Sequence, residues 1–296
     1  MMFPRHTIDQ CRVFYANPRF RRHVHERSHS LSCRSSAMEN PHLACSSNFI
    51  GIIGGVSVSS TLNFLERLQW WSSADGDERD LPFVVCNDET LTNSESAQSF
   101  YPLNWESCLI KAAAIDNLKQ KMKFLHKFGA KCVVIPCQSC INWHKEVSEG
   151  CSLPFLHIWE SVVFELKTAK LKPLETGSKT PKIGVLALSS SPPAKFYQEG
   201  LQREGFEVVL PDKQTMERIL VPAIEATNKN DREGAKILLI IAIRVLLVRA
   251  VSVVILASDE LQDLLPRGDP LLKKCINPID SLAKFTISWC KHGGKM

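Results

Sequence analysis

The chain has 296 residues, enough for two domains of ordinary size, and its 44% hydrophobic and 23% charged residues are typical of a soluble globular protein. The formal net charge of +5 is concentrated in residues 1–45, where seven Arg stand against three acidic residues. The rest is nearly neutral, which excludes a nucleic-acid-binding surface. Eleven Cys, an odd number, and the absence of a secretory signal predict reduced thiols rather than disulfides.

Residues 1–46 have the composition of an organelle-targeting segment. They contain no Lys, five of the nine His and a serine cluster around Ser28–Ser36, with neither strand alternation nor helical periodicity. A secretory signal would require an apolar run of about 7–15 residues, which is absent. We therefore predict a disordered transit peptide that is cleaved near Cys33–Ser47. Its serine content favours the plastid stroma over the mitochondrion, and a merely disordered tail is the alternative interpretation.

From residue 47 onward, apolar runs of strand length alternate with runs of helix length. Strands are predicted at 48–55, 81–87, 130–136, 153–160, 182–188, 206–212 and 251–258. Helices are predicted at 61–71, 106–129, 157–170, 193–205, 216–226 and 231–250. Between the two halves, the Pro-, Gly- and Ser-containing segment 173–181 is the predicted domain boundary.

This order predicts an α/β protein made of two similar doubly wound parallel-sheet domains. The first domain is predicted to span residues 47–172 and the second 182–274, with 275–296 packing back on the first. The apolar segment 235–258 is not a membrane span, because Arg244 at its centre would cost roughly 2.5–3.5 kcal/mol at mid-bilayer. A buried helix followed by a buried strand explains it instead.

The two halves of the chain share a weak sequence echo. FIGIIGG matches KIGVLAL, and KCVVIPCQS matches VSVVILASDE. These matches place Cys137 and Ser258 at equivalent strand ends of two similar domains. Ligands of open parallel sheets bind beyond the carboxyl ends of the strands. We therefore predict an inter-domain active-site cleft with these two side chains on opposite walls.

Cys137 and Cys140 form a C-x-x-C pair that allows several interpretations. A redox pair at a helix start fits the spacing. A metal site does not, because Cys132 lies about 16 Å back along the strand and two thiols with His144 fall short of four zinc ligands. Both thiols could also be small buried hydrophobes. The remaining interpretation is a reactive thiol beside helix-start N–H groups, which favour a thiolate and can hold a carboxylate.

The segments IGIIGGVSVSST, VIPCQS, FYQEGLQREGFEVVLPD and VILASDELQDLL, in this order, resemble the aspartate/glutamate racemase family of cofactor-independent enzymes. The resemblance runs from about Phe49 to Trp289, and with its leader the chain is similar to plastid-directed plant members. It implies an amino-acid racemase-type isomerase with no cofactor and no metal. The implied partner is a small molecule, an amino acid or a related carboxylate, with no nucleic acid and no membrane. A homodimer is left open.

The resemblance also implies roles for individual residues. In the family, one thiolate removes the α-proton and a thiol of the other domain returns a proton to the opposite face. The two positions correspond to Cys137 and Ser258. The implied substrate-binding residues are Gly55, Ser57, Asn87, Gln138, Ser139, Ser189, Ser191, Asp259 and Glu260.

Two departures from the family pattern leave the activity open. Ser258 replaces the second cysteine, and a hydroxyl is a far weaker acid than a thiol of pKa about 8.5. Asn93 stands where an arginine often grips a distal carboxylate. Three interpretations remain: an isomerase in which Ser258, with water or Glu260, reprotonates slowly or in one direction; a one-cysteine lyase or decarboxylase; and a non-catalytic protein that binds an amino or keto acid, or a partner protein. A dinucleotide enzyme ranks below them, because the glycine loop is not G-x-G-x-x-G.

Overall fold

The computed structural model describes residues 12–15, 49–54, 57–74, 81–87, 108–174, 179–188 and 191–294. Within these residues the chain forms two α/β units, each with a central sheet flanked by helices. The predicted fold class, two similar domains with parallel sheets, is confirmed. No helix of the described part is long and apolar enough to cross a membrane.

The first sheet has the strand order β1-β3-β2-β4-β5. Its strands are β1 (Arg12–Tyr15), β2 (Phe49–Ile53), β3 (Phe83–Asn87), β4 (Ala130–Val134) and β5 (Phe155–Leu156). The four strands from β2 to β5 pair in parallel, and β1 pairs antiparallel with β3. The helices of this half are α1 (Val58–Ala74), α2 (Cys108–Lys127), α3 (His144–Ser148) and α4 (Ile158–Thr168).

Strand β1 lies in the segment for which the sequence predicts no regular structure. Its residues, RVFY, include a β-branched residue and two aromatic residues, which favour an extended backbone. It occupies the free edge of β3, where Val13 is paired with Cys86. An open sheet edge offers unpaired N–H and C=O groups to any segment of this kind. The targeting role of residues 1–46 remains a prediction.

The second sheet has the order β7-β6-β8-β9, and all its pairings are parallel. Its strands are β6 (Lys182–Leu186), β7 (Glu207–Val209), β8 (Val251–Leu256) and β9 (Cys275–Ile276). The helices are α5 (Pro192–Arg203), α6 (Lys213–Thr215), a π-helical turn (Met216–Leu220), α7 (Val221–Asn228), α8 (Arg232–Val248) and α9 (Pro278–Lys291). Every residue of β8 is buried, which explains why all of its residues except Ser252 are apolar.

The parallel strands of the two sheets follow the same order. In each half the first strand along the chain lies between the second and the third, and the fourth lies outside the third. Strands β2 and β6 are therefore equivalent, and so are β4 and β8. The segments that directly follow β4 and β8 consequently occupy the same place in their respective domains.

The repeated Ile-Gly of β2 and β6 has the same packing cause in both domains. A Cβ atom on Gly51 would lie 2.9 Å from Leu125 Cδ1, on α2. A Cβ atom on Gly184 would lie 3.0 Å from Leu246 Cδ1, on α8. In each domain a leucine of the covering helix thus presses on the central strand where only glycine leaves room.

Each half has a hydrophobic cluster of its own, and a third cluster spans both halves. A single cluster of buried side chains includes Ile52 and Val134 of the first sheet together with Val185 and Ile255 of the second. Helix α9 follows the last strand of the second sheet but packs against α1 and α4 of the first domain. This continuous apolar contact fixes the two strand ends, after β4 and after β8, relative to each other.

Candidate active site

The chain turns in the same way after β4 and after β8. Cys137 precedes a 3₁₀ helix, Gln138–Trp143, and Ser258 precedes another, Asp259–Leu261. Both residues have an extended backbone, with φ and ψ of −146° and 123° at Cys137 and −141° and 134° at Ser258. In both domains an extended residue is followed by a 3₁₀ helix, although the two sequences differ. The similarity between the two halves of the sequence predicts this equivalence of Cys137 and Ser258.

The two strand ends face each other across the domain interface. The Cys137 thiol donates to Asp259 Oδ2 over a distance of 3.9 Å. The Cys137 side chain is only 3% exposed, and Asp259 is partly buried. The carboxyl of Asp259 is thus an acidic group of the second domain that contacts the thiol.

Ser258 makes its hydrogen bond within its own segment. The side chain is fully buried, and its hydroxyl donates to Glu260 Oε2 at 2.5 Å. Glu260 is accordingly the group that would accept a proton from this hydroxyl. Ser258 lies at the strand end expected for it, but its hydroxyl is directed to Glu260, whereas Asp259 contacts Cys137.

The carboxyl of Asp259 has an unusual pKa. Burial raises the pKa and the negative charge of Glu260 raises it further, while hydrogen bonds from the Ser60 hydroxyl, the Gln138 backbone N–H and the Cys137 thiol lower it. The balance brings the pKa of Asp259 to about 7. Near neutral pH the carboxyl therefore exists in both protonation states, as a proton donor or acceptor must.

Gln138 joins the two domains. Its amide nitrogen donates to the backbone oxygen of Leu256 at 3.1 Å, and its amide oxygen accepts from the Tyr197 hydroxyl at 3.3 Å. Burial and the charge of Asp259 raise the pKa of Tyr197, so its hydroxyl keeps the proton it donates. Gln138 is 1% exposed, and both ends of its amide are bonded to protein groups. The resemblance implies that this residue binds substrate, whereas the structure shows it bonded to Leu256 and Tyr197.

Two serines at the start of α1 connect the first domain to Asp259. Ser57 Oγ accepts from the Ser60 backbone N–H at 3.2 Å, as an N-cap does. Its hydroxyl also donates to Ser60 Oγ at 2.9 Å. Ser60, 1% exposed, hydrogen-bonds to the Asp259 carboxyl. Ser57 is among the predicted site residues and Ser60 is not, although a second serine three residues after an N-cap lies at the same helix end.

The other predicted substrate-binding residues have different surroundings. Asn87 ends β3 beside Gly54. A Cβ atom added to Gly54 would lie 2.9 Å from Asn87 Oδ1. Ser139 is partly exposed in the turn after Cys137. Ser191 is 3% exposed, and its hydroxyl donates to the Leu188 carbonyl at 2.6 Å, which closes the turn before α5. The remaining two predicted positions, Gly55 and Ser189, lie outside the described residues.

Cys140 lies against the sulfur of Cys137. A hydrogen bond to Cys137 raises the pKa of the Cys140 thiol, as do burial and the charges of Cys137 and Asp259. Cys140 therefore stays protonated and offers its S–H to the Cys137 sulfur. Both cysteines are free, so the C-x-x-C pair is a pair of thiols in contact.

A pair of histidines lies in the same half of the molecule. The rings of His144 and His157 are 4.3 Å apart between centroids, and His157 Nε2 is 3.1 Å from the Ile141 carbonyl oxygen. Burial and the neighbouring His144 lower the pKa of His157 to about 3, so the ring is neutral and donates to Ile141. Across the described residues, no three His, Cys, Asp or Glu side chains are grouped so that they could hold a metal ion.

These features define a two-domain α/β protein with ionisable groups at two facing, equivalent strand ends. Residues 53–286 match the family model of the Asp/Glu/hydantoin racemases. The match covers most of the chain, so the protein belongs to the Asp/Glu/hydantoin racemase family. The resemblance noted in the sequence is thereby confirmed.

Solved structures of racemases have the same fold. An aspartate racemase homologue from Pyrococcus horikoshii OT3 is 19% identical, with 82% of this chain and 99% of that chain covered and a TM-score of 0.65. Aspartate racemase from Picrophilus torridus is 20% identical, with 82% and 94% covered and a TM-score of 0.62. Glutamate racemase from Francisella tularensis subsp. tularensis SCHU S4, in complex with D-glutamate, is 14% identical, with 83% and 82% covered and a TM-score of 0.52.

Proposed function

We propose that the protein is a cofactor-independent amino-acid racemase-type isomerase in which the Cys137 thiolate removes the α-proton of its substrate. The observation that carries the proposal is the 3.9 Å contact between Cys137 Sγ and the Asp259 carboxyl of the opposite domain. It supports the proposal because inversion at a carbon requires proton-transferring groups on its two faces.

The surroundings of Cys137 suit a base that acts without a metal or an electron sink. The Cys140 thiol supplies a hydrogen-bond donor to negative charge on the Cys137 sulfur. When the Cα–H bond breaks, its electron pair moves into the substrate carboxylate, which requires donors of its own. Ser139 and Asn87 are polar groups near the ends of β4 and β3 that could supply them, in keeping with their predicted role.

The substrate class is an amino acid or a related carboxylate. The structural relatives include an aspartate racemase and a glutamate racemase, and the structure of the glutamate racemase contains D-glutamate. Aspartate and glutamate are therefore the first compounds to test. Asn93 lies outside the described residues, and an asparagine in place of an arginine would not form an ion pair with a distal carboxylate.

Proton exchange tests this function directly. The full chain is incubated with L- and D-amino acids in deuterated water, and the α-position is followed by NMR. We expect exchange with inversion for at least one amino acid, and at least about a 100-fold loss of inversion in Cys137→Ala. Cys151→Ala, which removes a partly exposed free thiol of the same domain, is the matched control and should behave as the wild type. Undiminished inversion in Cys137→Ala would show that another group is the base.

A one-cysteine lyase or decarboxylase is a second candidate. It is favoured by the absence of a second thiol at Ser258, whose hydroxyl is bonded to Glu260, because such a reaction needs a single proton donor. Release of CO2 from a malonate-type acid would identify it. A non-catalytic protein that binds an amino or keto acid would show no exchange with any compound, and its thermal unfolding temperature would rise with ligand.

We also propose that residues 1–46 direct the protein to the plastid stroma. The Arg-rich, Lys-free and Ser-rich composition of this segment supports the assignment. A fusion of residues 1–46 to a fluorescent protein should accumulate inside plastids of a plant cell. Accumulation in mitochondria would support the alternative organelle, and uniform fluorescence through the cell would contradict targeting.

A further inference from the structure

We propose that Asp259 is the second acid/base group of the site and acts on the substrate face opposite Cys137, where the resemblance predicts Ser258. This inference rests on the proposed function and names the group that completes it. Asp259 belongs to the second domain, and its Oδ2 accepts from the Cys137 thiol of the first. A carboxyl group replaces the thiol that the family pattern places one position earlier in the chain.

The direction of the two neighbouring side chains distinguishes Asp259 from Ser258. The Ser258 hydroxyl donates to Glu260 at 2.5 Å and so points along its own segment. The Asp259 carboxyl points across the interface to the sulfur of Cys137. Since the two groups of a two-base mechanism must approach one carbon from opposite sides, the group that faces Cys137 is the appropriate partner.

The two carboxyl oxygens of Asp259 have different contacts: Oδ1 is held within its own segment, and Oδ2 faces Cys137. Gln262, which is 4% exposed, donates its amide to Oδ1 at 3.2 Å. The Ser60 hydroxyl and the Gln138 backbone N–H also hydrogen-bond to the carboxyl. Oδ2 is the oxygen that faces the thiol. A carboxyl oriented in this way can exchange a proton at a defined position.

The charges around Asp259 keep it usable as an acid near neutral pH. The titratable groups that face it are Glu260 on its own segment, Cys137 and Cys140 after β4, and Tyr197 on α5. Burial and Glu260 bring the pKa of Asp259 to about 7. A carboxyl of that kind can give up and take back a proton at neutral pH, which a serine hydroxyl does poorly.

Each proton transfer of the proposed reaction breaks one bond to hydrogen and forms another. The Cys137 thiolate takes the α-proton, so that an S–H bond forms, the Cα–H bond breaks and the electron pair enters the substrate carboxylate. The protonated Asp259 then gives its proton to the opposite face, so that its O–H bond breaks and a new Cα–H bond forms. The opposite enantiomer reacts in the reverse sense. When the product has left, the contact between Sγ and Oδ2 lets the thiol return its proton to the carboxylate.

Substrate must separate the two groups. Reacting atoms lie about 3–3.5 Å apart in a productive complex, so a carbon between Cys137 and Asp259 requires roughly 6–7 Å from sulfur to oxygen. The 3.9 Å contact between Sγ and Oδ2 must therefore lengthen by roughly 2–3 Å when a substrate carbon lies between them.

The test is a separate measurement of exchange for each enantiomer. The full chain is incubated in deuterated water with the L form and, separately, the D form of the amino acid that the wild type exchanges fastest. In Asp259→Asn we expect at least about a 100-fold loss for one enantiomer, while the other still exchanges with retention through Cys137. Cys137→Ser should show the reciprocal loss. Asp231→Asn, the same change at a helix cap that Asn also satisfies, should match the wild type.

Further readouts separate catalysis from positioning. In the wild type, kcat/KM plotted against pH should show an inflection near pH 7, and Asp259→Asn should remove it. Asp259→Glu should restore part of the inversion. Thermal unfolding checks that both variants fold. Equal exchange of both enantiomers in Asp259→Asn would overturn the inference, as would loss of inversion in Ser258→Ala with Asp259→Asn unaffected. If the wild type exchanges no amino acid, the proposed function is refuted, and the role proposed for Asp259 is refuted with it.

Discussion

Gln138 of the first domain donates its side-chain amide to the backbone oxygen of Leu256 in the second, at 3.1 Å and out of contact with water. The same side chain accepts the Tyr197 hydroxyl at 3.3 Å. One amide therefore satisfies polar groups on β8 and α5 that would otherwise be buried without a partner. It also lies next in sequence to Cys137, so the contact that joins the domains and the base of the proposed reaction belong to one turn.

We expect Gln138→Ala to destabilise the protein by about 1–3 kcal/mol, because the Leu256 carbonyl and the Tyr197 hydroxyl both lose a buried partner. Urea unfolding followed by circular dichroism measures the change. Gln202→Ala, an exposed glutamine on α5, is the matched control and should shift the midpoint little. Equal midpoints for the two variants would show that the amide does not support the interface.

The raised pKa of Asp259 predicts a loss of stability as the pH rises. The carboxyl ionises near 3.8 in the unfolded chain and near 7 in the folded protein. Between these values the folded protein holds a proton that the unfolded chain has released, so an increase in pH favours unfolding. Asp259→Asn removes this term. We expect the variant to gain stability relative to the wild type from pH 4 to pH 8 in urea unfolding, and a constant difference would contradict the assignment.

His157 predicts the opposite pH dependence. Burial and His144 lower its pKa from 6.5 to about 3, so below pH 6.5 the unfolded chain binds a proton that the folded ring does not. Stability from this group is therefore complete above pH 6.5 and falls as the pH falls toward 3. His157→Gln, whose amide can still donate to the Ile141 carbonyl, should lose less stability between pH 7 and pH 5 than the wild type. His126→Gln, on the exposed side of α2, should follow the wild type.

Replacement of either strand glycine, Gly51 or Gly184, should destabilise its domain for the same packing reason. Gly51→Ala and Gly184→Ala would each press a methyl group against a leucine of the covering helix, at 2.9 and 3.0 Å. We expect each to cost about 1–3 kcal/mol in the free energy of unfolding. Gly268→Ala, where a Cβ meets nothing within 4 Å, should cost much less. If Leu125→Val relieves most of the cost of Gly51→Ala, the contact with α2 is its cause.

The architecture and the equivalence of the two strand ends could be predicted because they depend on local pattern. An apolar run that ends in Cys137 and another that ends in Ser258 are visible in the sequence, and parallel sheets place such ends at ligand sites. Strand β1 was missed, because four residues of β-prone sequence are insufficient evidence without an edge to pair with. Strand β9 was missed for the same reason, since its two residues are extended by pairing with β8.

The details of the site could not be predicted, because they depend on how two domains approach each other. Ser60 and Asp259 are far apart in the chain and meet only when α1 is placed beside the end of β8. The resemblance implies that Asp259 is a substrate contact and that Ser258 is the partner of Cys137. Which of two adjacent residues crosses the interface is determined by the turn after β8, where Ser258 bonds to Glu260 instead.

Helix α9, the last helix of the chain, covers α1 and α4 and so finishes the surface of the half that is synthesised first. Its buried side chains Ile279, Leu282 and Ile287 belong to the same hydrophobic cluster as Phe64 of α1 and Val162 of α4. Until residues 278–291 have left the ribosome, α1 and α4 lack this packing partner, and their apolar faces stay open. Native packing of the first domain is consequently delayed until α9 has been synthesised, and a truncation before Pro278 would damage the domain that lies farther from it in sequence.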